Sequence, residues 1–90
     1  MIKRIQVTTP GGIHAAVAAL LRQIAVRENA FICIRRDKKI VSAKEYMKVL
    51  SMGIRQYDWI ELIVESENDE EYVMLQIEKV LCSGRKEQEI

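Results

Sequence analysis

The chain has 90 residues, 49% hydrophobic and 30% charged, with four Gly and one Pro. That length and composition leave room for a single domain spanning 1–90 and exclude a disordered chain. Fourteen basic against thirteen acidic residues, a net charge of +1, exclude the cationic excess of a domain that binds nucleic acid directly.

The first segment, Ile5-Gln6-Val7-Thr8, alternates apolar and polar residues and predicts a half-buried strand. Pro10-Gly11-Gly12 breaks it. From Ala15 the period changes: Val17, Leu20, Leu21 and Ile24 recur at i, i+3, i+4 and i+7, an amphipathic helix ending near Asn29. Phe31 to Arg35 is β-branched and aromatic, a second strand. A polar turn, Arg36 to Lys39, leads to a third strand at Ile40-Val41. Tyr46, Met47, Val49, Leu50 and Ile54 have helical spacing, with Gly53 as C-terminal cap. Ile60, Leu62 and Val64 share one face of a fourth strand. Asn68 is placed to cap the last helix, with Glu71 closing a reciprocal capping box and Val73, Ile77, Val80 and Leu81 as its buried stripe. The ordered core should span about 2–82, with a frayed polar tail over 83–90.

This order, strand-helix-strand-strand-helix-strand-helix, suits an α+β fold, a small sheet with its helices on one face. Periodicity alone does not separate it from ferredoxin-like or small-ligand regulatory domains. The longest fully apolar run, Ala15 to Leu21, is seven residues, far below the roughly 20 of a membrane span. No membrane insertion is expected, and polar residues near the start predict a cytoplasmic chain without a signal peptide. Cys33 and Cys82 form no Cys-x-x-Cys pair, and His14 is the one histidine. Neither a metal site nor a bound cofactor is therefore expected, and both thiols read as free, buried hydrophobes.

His14 is the candidate for chemistry. It follows Gly11-Gly12-Ile13 and directly precedes the first helix, where unpaired N–H groups and the helix dipole favour an anion. The glycines, Gly12 in particular, permit close backbone approach. An imidazole there is a nucleophile toward a phosphoryl group, which the amides of Ala15, Ala16 and Val17 would hold. The plainer alternative is a histidine that simply starts a helix.

Gly12-Ile13-His14-Ala15-Ala16-Val17-Ala18-Ala19-Leu20-Leu21 resembles the phosphoacceptor motif of HPr, the phosphocarrier family of the bacterial sugar phosphotransferase system. That motif usually reads Gly-Leu-His-Ala-Arg-Pro-Ala. Downstream, Ser42 to Ile54 looks like the family's regulatory segment, and Glu67-Asn68-Asp69-Glu70 is similar to the start of its last helix. The resemblance spans residues 2 to about 82. It implies an open-faced two-layer sandwich, a four-stranded antiparallel sheet with three helices on one face. It further implies phosphoryl acceptance at Nδ1 of His14 from an enzyme I-like donor and delivery to IIA-type domains.

Three departures from the motif bear on function. The family's Arg, two residues past the histidine, is Ala16 here, and the following Pro is Val17. The missing guanidinium leaves Arg22 and Arg55 as candidate substitutes. Glu45 stands where Gram-positive members carry a phosphorylated Ser. It either mimics that phosphoserine or completes a capping box with Ser42. By resemblance, Tyr46, Met47 and Leu50 form a docking patch rimmed by Lys44 and Lys48, with Arg22 and Arg27 nearby, suited to an acidic partner. The leading expectation is a phosphocarrier. The alternative is a Crh-type regulatory module that binds partners, such as a catabolite-control transcription factor, through the same face. A third, unrelated reading is a small-molecule-binding ferredoxin-like domain.

Overall fold

The computed structural model describes residues 1–83. Its elements are β1 (Ile2–Gln6), α1 (Ala15–Arg27), β2 (Phe31–Arg36), β3 (Lys39–Ser42), α2 (Tyr46–Ser51), β4 (Trp59–Glu65) and α3 (Glu70–Leu81). The sheet order is β1-β4-β2-β3, and every neighbouring pair is antiparallel. The expected α+β order is therefore the observed one. The remaining expected tail, 84–90, lies outside the described residues.

Strand alternation sets the two faces of the sheet. Ile5 pairs with Ile60, Ile34 with Leu62 and Ile32 with Val64, and all six are buried under the helices. They pack with Val17, Leu21 and Ile24 of α1, Val49 of α2, and Val73, Ile77 and Leu81 of α3. The residues between them form the open face, where Ile2, Phe31, Ile40 and Trp59 are exposed. Arg4 stacks over the Trp59 ring at 4.4 Å, and Arg35 pairs with Glu61 at 3.4 Å.

Several elements depart from the sequence expectation. β1 is Ile2–Gln6, earlier than expected. Val7 is fully buried but outside the ladder, because its N–H donates to Asp58 and the next two amides donate to Leu81 at the end of α3. Helix α1 stops at Arg27. Asn29 takes φ 49°, and the Ala30 and Asn29 amides close onto Ala25 and Val26, a Schellman ending. Leu20, expected in the buried stripe, is 45% exposed. The small side chains of Ala18 and Ala25 take the inner face beside Val17, Leu21 and Ile24, so the stripe rotates away from Leu20.

Asp69, not Asn68, caps α3, its carboxylate accepting from the Tyr72 amide at 3.1 Å. The capping box with Glu71 does not form; Glu70 instead accepts from the Ser66 amide at 3.2 Å. Met74 joins the buried stripe of α3, while Val80 is only partly buried. Ser83, expected at the start of the tail, donates to the Thr9 hydroxyl at 2.9 Å. Among the described residues neither cysteine is in a disulfide. Cys33 is buried, whereas Cys82 is half-buried, its Sγ 3.5 Å from the Gln6 carbonyl.

Candidate functional site

The segment before α1 is a tight turn pressed against another loop. Gly11 and Gly12 both adopt positive φ, 80° and 66°. A Cβ on Gly12 would lie 2.5 Å from the Ile54 carbonyl oxygen and 2.7 Å from the Arg55 Cα. Only a residue without a side chain fits there. The contact is fixed by the Ile13 amide donating to the Ile54 carbonyl at 3.0 Å, with Ile13 itself buried.

His14 then serves as the N-cap of α1, with extended backbone (φ −89°, ψ −176°) and an exposed side chain. Its Nδ1 accepts from the Ala16 amide at 3.3 Å. That hydrogen bond leaves the Nδ1 lone pair facing the helix mouth and assigns the neutral ring's proton to Nε2. The first amide committed to the helix ladder is Ala18, which donates to the His14 carbonyl at 2.9 Å. Ala15 and Val17 thus supply amides outside the ladder at the positive end of the dipole, and the Ala16 amide is held only by the His14 ring. No acidic residue occupies this first turn. The Val17 side chain is core, so only its backbone faces the site.

The loop that Gly12 packs against is held by side chains that sequence reasoning missed. Arg36, at the end of β2, donates to the Asp58 carboxylate at 3.3 Å and to the Met52 carbonyl. Asp58 also accepts from the Arg55 amide at 2.9 Å. Gln56 donates to the Thr8 carbonyl at 3.0 Å. Nothing in the local pattern marks Arg36 and Asp58 as partners, since they meet only once the sheet has formed.

The α2 residues divide. Met47 is 69% exposed, while Tyr46 and Leu50 are half-buried against the core. Lys44 and Lys48 are exposed. Glu45 is the N-cap of α2 but makes no side-chain cap bond. The expected capping box is therefore absent: Ser42 accepts from the Lys44 amide instead, and the Glu45 carboxylate lies 3.3 Å from Lys48. Arg27, expected near this patch, sits at the far end of α1, donating to Gln76 and pairing with Glu28.

Charge is polarised along the strands. Arg36, Lys38, Lys39 and Arg55, with Asp37 and Asp58 among them, lie at the strand ends where the Arg55 loop meets the Gly12 turn, whereas Glu65, Glu67 and Glu70 line a hollow at the opposite end with Asn29 and Phe31. Among the described residues no group of three or more His, Cys, Asp or Glu could hold a metal, and no helix is long and apolar enough to cross a membrane.

Residues 2–83 match the family described as the PTS HPr component phosphorylation site. The chain belongs to the HPr family. It is 35% identical to the phosphocarrier protein HPr of Treponema pallidum over 69 residues, covering 77% of this chain and 78% of that protein. It is 39% identical to the HPr-like protein Crh of Halalkalibacterium halodurans over 72 residues, covering 80% and 84%. A crystal structure of HPr from Bacillus anthracis superposes with a TM-score of 0.81 at 33% identity, covering 90% of this chain and 95% of that one. The HPr fold accounts for the four antiparallel strands and three helices in their observed order. The two HPr-type relatives carry different descriptions, one a phosphocarrier and one a Crh protein.

Proposed function

We propose that this HPr-family chain is a phosphocarrier of the phosphoenolpyruvate-dependent sugar phosphotransferase system, working in the cytoplasm. His14 takes a phosphoryl group from an enzyme I-like phosphohistidine and passes it to a IIA-type domain. The observation that supports this is the exposed His14 ring with Nδ1 turned to the Ala16 amide.

In the forward step the Nδ1 lone pair forms a new N–P bond. The donor's P–N bond breaks as that forms, and its electron pair returns to the donor imidazole. The Ala16 N–H, released from Nδ1, then donates to a phosphoryl oxygen, joined by the amides of Ala15 and Val17. Gly12 brings the turn close enough for this arrangement. The second transfer reverses these roles toward the acceptor's imidazole. Tyr46, Met47 and Leu50, with Lys44 and Lys48 at the rim, dock both partners. Incubation with phosphoenolpyruvate and enzyme I should label the protein, and His14→Ala should remove the label. Label persisting in that variant overturns the assignment.

Glu45 favours a second reading, a Crh-type regulatory module. Its carboxylate is exposed and not engaged by the α2 amides, so a constant negative charge stands at the start of that helix. Such a module would bind a catabolite-control transcription factor. Glu45→Ser should then weaken binding to a partner that selects the serine-phosphorylated form, and unchanged affinity removes this reading.

A further inference from the structure

We propose that Arg55 is a catalytic residue, supplying to the phosphoryl group on His14 the cation that Ala16 cannot. This rests on the phosphocarrier reading and extends it to a residue outside the histidine motif. The transferring group carries negative charge on three oxygens, and the amides at the mouth of α1 provide only partial positive charge. A guanidinium adds full charge and a planar fork of donors.

The geometry selects which arginine can do this. Most guanidinium groups of the described residues are already engaged: Arg4 on Trp59, Arg27 on Glu28 and Gln76, Arg35 on Glu61, Arg36 on Asp58. Arg22 and Arg55 remain, both exposed. Arg22 is eight residues beyond His14 along α1, about 12 Å of helix rise from the site. The Arg55 backbone packs directly against the turn. Its Cα would lie 2.7 Å from a Cβ on Gly12, and a Cβ on Gly11 would touch the His14 ring at 3.0 Å. The backbones of Gly12 and Arg55 are therefore roughly 4 Å apart, and His14 follows two residues later, within about 7.6 Å of Gly12. An extended arginine reaches roughly 6–7 Å from its Cα, enough to bring its donors over the turn. The Arg55 amide is pinned to Asp58, so the base of the side chain is fixed while its end is free to swing onto the phosphoryl oxygens.

Two donors separate this inference from the carrier reading. Phosphorylated enzyme I tests both. Phosphoramidate tests Arg55 without a protein partner: its P–N bond breaks, ammonia leaves, and the phosphoryl group passes to Nδ1. With each donor Arg55→Ala should slow phosphorylation of His14 by about 10- to 100-fold, and Arg55→Lys should recover part of the rate. With phosphoramidate, which needs no docking face, Arg22→Ala should transfer as the parent does. Ala16→Arg should accelerate transfer more in the Arg55→Ala background than in the parent, because the two guanidinium groups serve one site. Parent-like rates for Arg55→Ala with phosphoramidate overturn the inference. Uptake from phosphoramidate that depends on Arg55, with none from enzyme I, leaves the inference standing and overturns the carrier reading.

Discussion

Arg36 and Asp58 lie 3.3 Å apart, one at the end of β2 and the other just before β4, and together they hold the loop that carries Ile54 and Arg55. The Arg36 guanidinium also takes the Met52 carbonyl, so the exit of α2 is fixed to the sheet by the same group. The Gly12 turn leans on this loop, which makes an ion pair at the ends of the two central strands part of what positions His14.

Asp58→Ala should therefore have two effects. Stability should fall by about 1 kcal/mol in urea denaturation, a charged hydrogen-bond loss discounted for partial exposure. Phosphoryl uptake at saturating enzyme I should fall as well, because the Arg55 amide loses its acceptor. Unchanged uptake at a temperature where the variant is fully folded would show that the loop holds its place without the carboxylate.

The two glycines before His14 should behave differently. Gly12→Ala meets both a positive φ and a backbone collision at 2.5 Å, so the turn must move. We expect a loss of at least about 2–3 kcal/mol by thermal or urea melting. Gly11→Ala meets a positive φ, but its nearest neighbour is the edge of the movable His14 ring at 3.0 Å. It should cost about 1–2 kcal/mol and shift the His14 ring resonances in NMR spectra. Equal losses for both would contradict the close approach of Gly12 to Arg55.

At α3, Asp69→Ala should cost about 1 kcal/mol by removing the cap on the Tyr72 amide. Asn68→Ala should cost almost nothing, since no cap bond comes from its side chain. Urea midpoints for the two variants distinguish the two cap assignments.

Burial raises the Cys33 thiol above its ordinary value, with the charges of Glu65 and Glu45 acting in the same direction. The folded state thus holds this proton more tightly than the unfolded chain. The resulting stability is complete below the unfolded thiol's pKa of about 8.5 and is lost as pH rises through the folded value. Denaturation midpoints should decline above about pH 8.5, and Cys33→Ala should flatten that decline. An identical slope in the variant would assign the effect to other groups.

How much of this was legible in the chain depends on the range of the interaction. The glycine turn, His14 and the onset of α1 are neighbours in sequence, so their arrangement follows from local rules. The element order was legible for the same reason, since each period is confined to one segment. Leu20 was misread because periodicity gives a stripe's spacing but not its rotation about the axis, which Ala18 and Ala25 decide by packing. Asn68 and Asp69 are both good caps, and which one starts the helix depends on how the chain leaves β4. The Ser42–Glu45 box failed because α2 begins three residues later than the box requires, with Glu45 and not Ser42 at its N-cap. Arg36 and Asp58 are 22 positions apart, and no periodicity or motif joins them before the strands pair.

The separation of charge has a consequence for how this molecule meets others. At the strand ends nearest the Gly12 turn Arg36, Lys38, Lys39 and Arg55 outnumber Asp37 and Asp58, while Glu65, Glu67 and Glu70 gather at the opposite ends, so a nearly neutral protein still behaves as an electric dipole. Near an acidic surface it experiences a torque as well as a pull, and tumbling is biased toward collisions that lead with the imidazole. That bias fades over the roughly 8 Å screening distance of physiological salt, so orientation is selected only in the last moments of approach.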